Sequence, residues 1–129
     1  MYEKRIEIRW RDMDAYGHVN NAVYLTYLEE ARDEWLSKTV EGIGEPWDFV
    51  LARVEVDYRR ELTQDDVAVV ARCRLDEIGT ASVRTVEELR KLDGELAAEA
   101  RAVVVARNRD SGRSRPLADA ERAAFEAVR

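Results

Sequence analysis

The chain has 129 residues, 46% of them hydrophobic and 37% charged, with a formal net charge of −6. That is enough for one domain and one core, expected over residues 1–129, and the balance excludes a disordered or membrane-embedded protein. The negative charge disfavours nucleic acid as a partner, and no apolar run reads as a signal peptide or membrane span, so a cytoplasmic protein is expected.

Residues 2–10 read as a strand, because Ile6, Ile8 and Trp10 alternate with Arg5, Glu7 and Arg9. A polar, turn-rich stretch follows, R-D-M-D-A-Y-G-H-V-N-N, in which Gly17 permits a bend and Asn20 or Asn21 can cap a helix. The next segment has helical periodicity. Tyr24, Leu28, Ala31 and Trp35 form one apolar stripe, and Glu29, Glu30, Asp33 and Glu34 cover much of the rest. The helix should stop before E-G-I-G-E-P.

Four strand-like segments come next. In the first, residues 49–60, Val50, Ala52, Val54, Val56 and Tyr58 alternate with charged residues. The second covers residues 66–76, where Val67, Val69, Ala71 and Cys73 share a face. The third and fourth, residues 81–91 and 95–108, flank a hairpin signal at Asp93-Gly94. The stretch E-L-A-A-E-A-R-A also favours helix, but the hairpin and the adjoining Val103, Val104 and Val105 favour strand. A short helix is expected after Pro116. One early helix among antiparallel strands predicts an α+β domain whose curved sheet wraps around that helix.

Cys73 and His18 are the only cysteine and histidine. No internal disulfide is possible, Cys73 reads as a buried strand thiol, and no metal or redox cofactor is expected. Arg107, Arg109, Arg113 and Arg115 crowd the region near the C-terminal end. They read first as a solvated loop and second as an anchor for a phosphorylated ligand.

The connection from the first strand into the helix gathers Asp12, Asp14, His18, Asn20 and Asn21, with Tyr16 and Tyr24 close by. A helix N-terminus offers unpaired N–H groups and partial positive charge, which can hold an anion or a developing oxyanion. A carboxylate beside it can attack a carbonyl or activate a water. A thioester has a good thiolate leaving group, so one carboxylate and one oxyanion donor suffice for its hydrolysis. The same residues also serve as ordinary turn and cap residues.

The block W-R-D-M-D-A-Y-G-H-V-N-N-A-V-Y-L-T-Y-L-E-E-A-R, residues 10–32, resembles the signature of the 4-hydroxybenzoyl-CoA thioesterase-like hotdog family. V-D-Y-R-R-E-L-T-Q-D-D, R-L-D-E-I-G-T-A-S and R-D-S-G-R-S-R-P-L are compatible with its later parts. The resemblance implies a five-stranded antiparallel sheet around a long central helix, paired into a homodimer or homotetramer with active sites at the subunit interface. It implies an acyl-CoA thioesterase, with coenzyme A as part of the substrate and not a cofactor. The second Asp of the D-x-D pair, Asp14, matches the family's catalytic carboxylate, acting as nucleophile or general base. Asn21, seven residues on, matches the position whose backbone N–H polarises the thioester carbonyl; some relatives carry Tyr or His there. His18 matches a histidine of plant acyl-ACP thioesterases and becomes a candidate for positioning Asp14 or water. Those enzymes have Asn in place of Tyr16, so their full constellation does not carry over. Trp10 and Tyr24 are expected to line the substrate pocket or core, Ser82 matches a position near the acyl pocket, and Arg59 and Arg60 could meet coenzyme A phosphates. Asp12 is expected to be a structural hydrogen-bond acceptor, and Asn20 a support for the loop.

Two other readings stand beside hydrolysis. One is a hotdog hydratase or dehydratase of 3-hydroxyacyl thioesters, pairing His18 with Glu29 or Glu30. The other is a non-catalytic acyl-CoA-binding module.

Overall fold

The computed structural model describes residues 1–129. The elements run β1 (Tyr2–Glu7), α1 (Asn21–Thr39), β2 (Phe49–Tyr58), β3 (Ala68–Ile78), β4 (Ser82–Lys91), β5 (Leu96–Ala106) and α2 (Asp119–Ala127). Single 3-10 turns at Trp10–Asp12, Pro46–Asp48 and Gln64–Asp66 punctuate the connections. The five strands form one sheet in the order β1-β3-β4-β5-β2, with every pairing antiparallel. This is the expected hotdog arrangement, with the long helix against the sheet and a short helix at the end.

The apolar stripe of α1 does what its spacing predicts, and Tyr24, Leu28, Ala31 and Trp35 are all buried. The helix lies over β3, β1 and β4. Val69, Ala71, Cys73 and Leu75 of β3 are buried together, and burial pushes the Cys73 thiol up, as suits an inert core residue. At the C-terminal end of the helix, Phe125 of α2 packs edge-on against Phe49, ring centroids 5.8 Å apart, and against Trp35 at 6.0 Å.

The core is two apolar clusters. One gathers around Tyr24, Tyr27 and Leu28, the other around Trp35, Leu36 and Phe125. On α1 between Leu28 and Trp35 sits Arg32, which reaches Glu87 of β4. Its Nε donates to Glu87 Oε2 at 2.9 Å and its Nη2 donates to Oε1 at 3.0 Å. Thr85 Oγ1 adds a third bond to Glu87 Oε2 at 2.6 Å. Both members of the pair are buried, Arg32 at 4% exposure and Glu87 at 0%.

Three local expectations are corrected. β1 ends at Glu7, not residue 10, because Asp12 Oδ2 accepts the Arg9 N–H at 2.9 Å and turns residues 10–12 into a 3-10 turn. β2 buries Phe49, while Val50 and Tyr58 are exposed and Val54 and Val56 only half-buried. It is the sheet edge farthest from β1, beyond the strands that α1 covers, and its register slips between Leu51 and Arg53. Val67 does not share the buried face of β3. It is exposed, at φ +69° and ψ −55°, in the turn just before that strand. The Asp93-Gly94 hairpin forms as predicted, with Gly94 at φ +94° and its N–H on the Lys91 carbonyl at 2.9 Å.

Candidate active site at the start of α1

The loop from β1 to α1 is held at both ends. Met13 and Val19 form an isolated antiparallel bridge. Inside it the Asp14 N–H donates to the His18 carbonyl at 3.0 Å and the Gly17 N–H to the Asp14 carbonyl at 3.1 Å. Gly17 closes the turn at φ +86°, a conformation that other residues adopt only with strain. The Val19 N–H then donates to the Leu62 carbonyl at 2.7 Å, fastening the loop to the segment after β2.

The two aspartates of D-M-D meet opposite fates. Asp12 is buried, and its Oδ2 accepts both the Arg9 N–H and the Tyr27 hydroxyl, the latter at 2.6 Å. Burial, then the bond to Asp12, holds the Tyr27 hydroxyl above the usual phenol range, so it remains a donor. The Asp12 carbonyl accepts the Asn20 N–H at 3.0 Å. Asp12 thus joins the strand end, the loop and the helix, the structural role expected of it. Asp14 is half-buried. Its Oδ1 accepts the Tyr16 N–H at 2.9 Å in an Asx-turn, and no protein donor reaches its Oδ2.

Asn20 is the N-cap of α1: its Oδ1 accepts the Ala22 N–H at 2.8 Å and its carbonyl accepts the Val23 N–H at 2.9 Å. The Asn21 N–H, first of the helix, has no acceptor within the chain. An open pocket of about 210 Å³ lies here, lined by His18, Asn21, Tyr24, Tyr58, Arg59, Arg60 and Glu61. The free Asn21 amide and the positive end of the helix dipole make such a spot favourable for negative charge.

The structure gathers five of the expected residues around this pocket: Asn21, His18, Tyr24, Arg59 and Arg60. His18 is half-buried, stacked on Tyr16 with centroids 6.2 Å apart, its Nε2 3.9 Å from Glu61 Oε1. Tyr24 is buried and donates to the Arg60 carbonyl at 2.8 Å; burial pushes its hydroxyl up to about 12. Arg59 Nη2 donates to Glu99 at 2.7 Å, so part of its charge is already met. Asp14 sits on the adjoining loop and not in the pocket wall.

Two expected residues, Trp10 and Ser82, lie apart. Trp10 is 79% exposed and its loop neighbour Tyr16 84%, both projecting from the loop that carries Asp14. Ser82 opens β4 at the end of the sheet near α2, whose approach is fixed by the Leu117 N–H on the Thr80 carbonyl. The chain itself does not bring Ser82 to the start of α1.

Sequence reading missed Tyr58 as a site residue. It packs edge-on against Tyr24, centroids 5.1 Å apart, and its hydroxyl donates to the Asn21 carbonyl at 2.9 Å. Its place in the alternation of β2 was the available signal; the 37-residue separation from Asn21 hid the partner. The crowded arginines divide similarly. Arg115 makes a paired contact with Glu121 of α2 at 2.7 and 3.0 Å, while Arg109 lies over the Trp47 ring at 5.8 Å.

Known proteins resemble this chain in sequence and in fold. Residues 8–125 match the family model of the thioesterase-like superfamily. The chain is 33% identical over 75 residues to the long-chain acyl-CoA thioesterase FadM of Escherichia coli K12, a match covering 53% of this chain and 54% of FadM. The matched stretch is thus about half the length of that relative. Among solved structures, a thioesterase from Thermus thermophilus, complexed with coenzyme A and Zn, is 36% identical, with a TM-score of 0.87 over 98% of this chain and 92% of that one. A thioesterase-superfamily protein from Jannaschia sp. CCS1 is 30% identical, with a TM-score of 0.81 over 95% and 79%. With a hotdog fold and a family match over nearly its whole length, the chain belongs to the thioesterase-like superfamily.

Proposed function

We propose that residues 1–129 act as one hotdog thioesterase domain that hydrolyses an acyl-CoA to a carboxylic acid and coenzyme A. The observation that carries this reading is a carboxylate oxygen with no protein donor, on Asp14, in a loop clasped to a helix whose first amide, Asn21 N–H, has no acceptor. The thioester carbonyl oxygen takes the Asn21 N–H, and the helix N-terminus stabilises the negative charge that gathers on it. Asp14 either removes a proton from the attacking water or attacks the carbonyl carbon itself, forming an anhydride that water then opens. Both routes consume one water and break the C–S bond: in the first the water's proton passes to the departing thiolate, and in the second coenzyme A leaves as thiolate and is protonated from the medium, balanced by the proton released when water opens the anhydride. His18 orients the loop or the water, and Tyr24 and Arg59 frame the pocket. Coenzyme A is part of the substrate and needs no resident cofactor beside it.

Pairing of β2 edges into a homodimer is supported by an exposed edge strand that carries Val50, Leu51 and Tyr58 at its surface. Such pairing would also give the exposed Trp10 and Tyr16 a partner surface, and Ser82 a route to a neighbouring acyl pocket. No helix of the chain is long and apolar enough to cross a membrane; work in the cytoplasm is part of the proposal.

The test is thiol release over a panel of straight, branched and aromatic acyl-CoAs, with the wild type and Asp14→Asn. The expected result is turnover by the wild type and a loss of at least about a hundredfold in the variant, with an unchanged melting temperature. Full activity of Asp14→Asn would sink the mechanism. Loss of enoyl-CoA absorbance without thiol release would favour hydration instead.

A further inference from the structure

The start of α1 is tied to residues 58–62 at three points. The Val19 N–H meets the Leu62 carbonyl, the Tyr24 hydroxyl meets the Arg60 carbonyl, and the Tyr58 hydroxyl meets the Asn21 carbonyl. Only the last of these bonds engages the residue whose N–H opens the helix. We infer that Tyr58 is a positioning residue for the Asn21 amide, an inference that rests on the thioesterase reading above.

Asn21 joins two peptide planes, and both bear on where its N–H points. It is exposed, and the first residue of a helix has no earlier turn to brace it. The plane that carries its N–H is held through the Asn20 carbonyl, which accepts the Val23 N–H at 2.9 Å, and the plane on the other side of its Cα is held by Tyr58, whose hydroxyl donates to the Asn21 carbonyl at 2.9 Å. The Tyr58 ring is braced in turn by the buried Tyr24 ring, edge-on at 5.1 Å. An oxyanion donor works only if it already points at the place where charge develops, because reorientation during the reaction costs what the bond returns. The Tyr58 hydroxyl therefore acts through the amide and need not touch the reacting atoms. Its loss should weaken the transition state more than the bound substrate.

The experiment is steady-state kinetics of Tyr58→Phe and Thr63→Ala, beside wild type and Asp14→Asn. Binding of a non-hydrolysable alkyl-CoA thioether, in which a methylene replaces the carbonyl, is measured in parallel. Tyr58→Phe should lower kcat about tenfold, a fraction of the loss expected for removing an oxyanion donor outright. KM and the thioether Kd should stay within about twofold. Thr63→Ala removes only the Thr63 Oγ1 bond to the Asp65 N–H in the same loop and should leave kcat unchanged. The inference is overturned if Tyr58→Phe keeps kcat within about twofold of wild type, or if its loss is matched by an equal rise in KM and Kd. A wild type that turns over acyl-CoA and dies with Asp14→Asn, combined with a normal Tyr58→Phe, removes this inference alone. A wild type that releases no thiol removes the reading beneath it.

Discussion

The Arg32–Glu87 pair gives the sharpest test of how the core is held. Replacing Arg32 with Met keeps the length of the side chain but removes both guanidinium donors to Glu87, which then keeps only the Thr85 hydroxyl at 2.6 Å and the weak Cys73 thiol donor at 4.0 Å. The carboxylate is 0% exposed, so no water takes the place of the guanidinium. Breaking a buried pair in this way costs about 3–5 kcal/mol, most of it the penalty of an unpaired buried charge. Total stabilities of about 5–15 kcal/mol make that roughly a fifth or more of what holds a domain folded.

Removing both charges behaves differently. Arg32→Met combined with Glu87→Leu deletes the desolvation penalty together with the attraction, and such replacements are about neutral or stabilising. The expected result is therefore strong non-additivity: two single variants each destabilised by about 3 kcal/mol or more, and a double variant within about 1 kcal/mol of wild type. Urea unfolding followed by circular dichroism, with all four proteins at one concentration, measures the cycle. Single variants that each cost under about 1 kcal/mol, or a double variant that simply adds the two losses, would refute the reasoning.

Two further outcomes follow from local chemistry. The hydrogen bonds from Arg115 hold the Glu121 carboxyl below the usual carboxylate range, so its contribution is present above the unfolded-state pKa and lost as the pH falls through the lowered folded value. Acid should loosen α2, read as a fall in melting temperature below about pH 4.5 that is shallower in Glu121→Gln, which itself costs about 2 kcal/mol at neutral pH. Val67 lies at φ +69° and ψ −55°, where a β-branched residue is strained, and its side chain is exposed. Val67→Gly should stabilise the protein by about 1 kcal/mol, after the entropy cost of glycine, and a lower melting temperature would contradict the strain.

What could be read from the sequence was local. The stripe Tyr24, Leu28, Ala31 and Trp35 follows from a helical repeat, and the Asp93-Gly94 turn from the φ that glycine allows. The Asn20 cap lies immediately before the helix it serves. What could not be read depended on partners far along the chain. Glu87 shares the inward parity of Val83, Thr85 and Leu89, but a buried glutamate makes sense only once Arg32, 55 residues away, is known to face it. The exposure of β2 likewise depends on which strands α1 covers, and alternation alone does not say which edge is left bare.

The pair Asp12 and Asp14 shows why a motif needs its geometry. By composition they are equivalent carboxylates two positions apart. The 3-10 turn at residues 10–12 sends Asp12 inward, where its Oδ2 is taken by the Arg9 N–H and the Tyr27 hydroxyl. A carboxylate so bonded and buried is a poor base or nucleophile, because reaction would break the contacts that offset its burial. Asp14, beyond the turn, gives only Oδ1 to the backbone. The work of the first aspartate is to anchor the loop through Tyr27 and Asn20, and that anchoring holds the second in place beside the helix. The proposed chemistry thus depends on Asp12 without passing through it. Family resemblance singles out Asp14 by position, and the hydrogen-bond pattern offers a separate physical reason for the same choice.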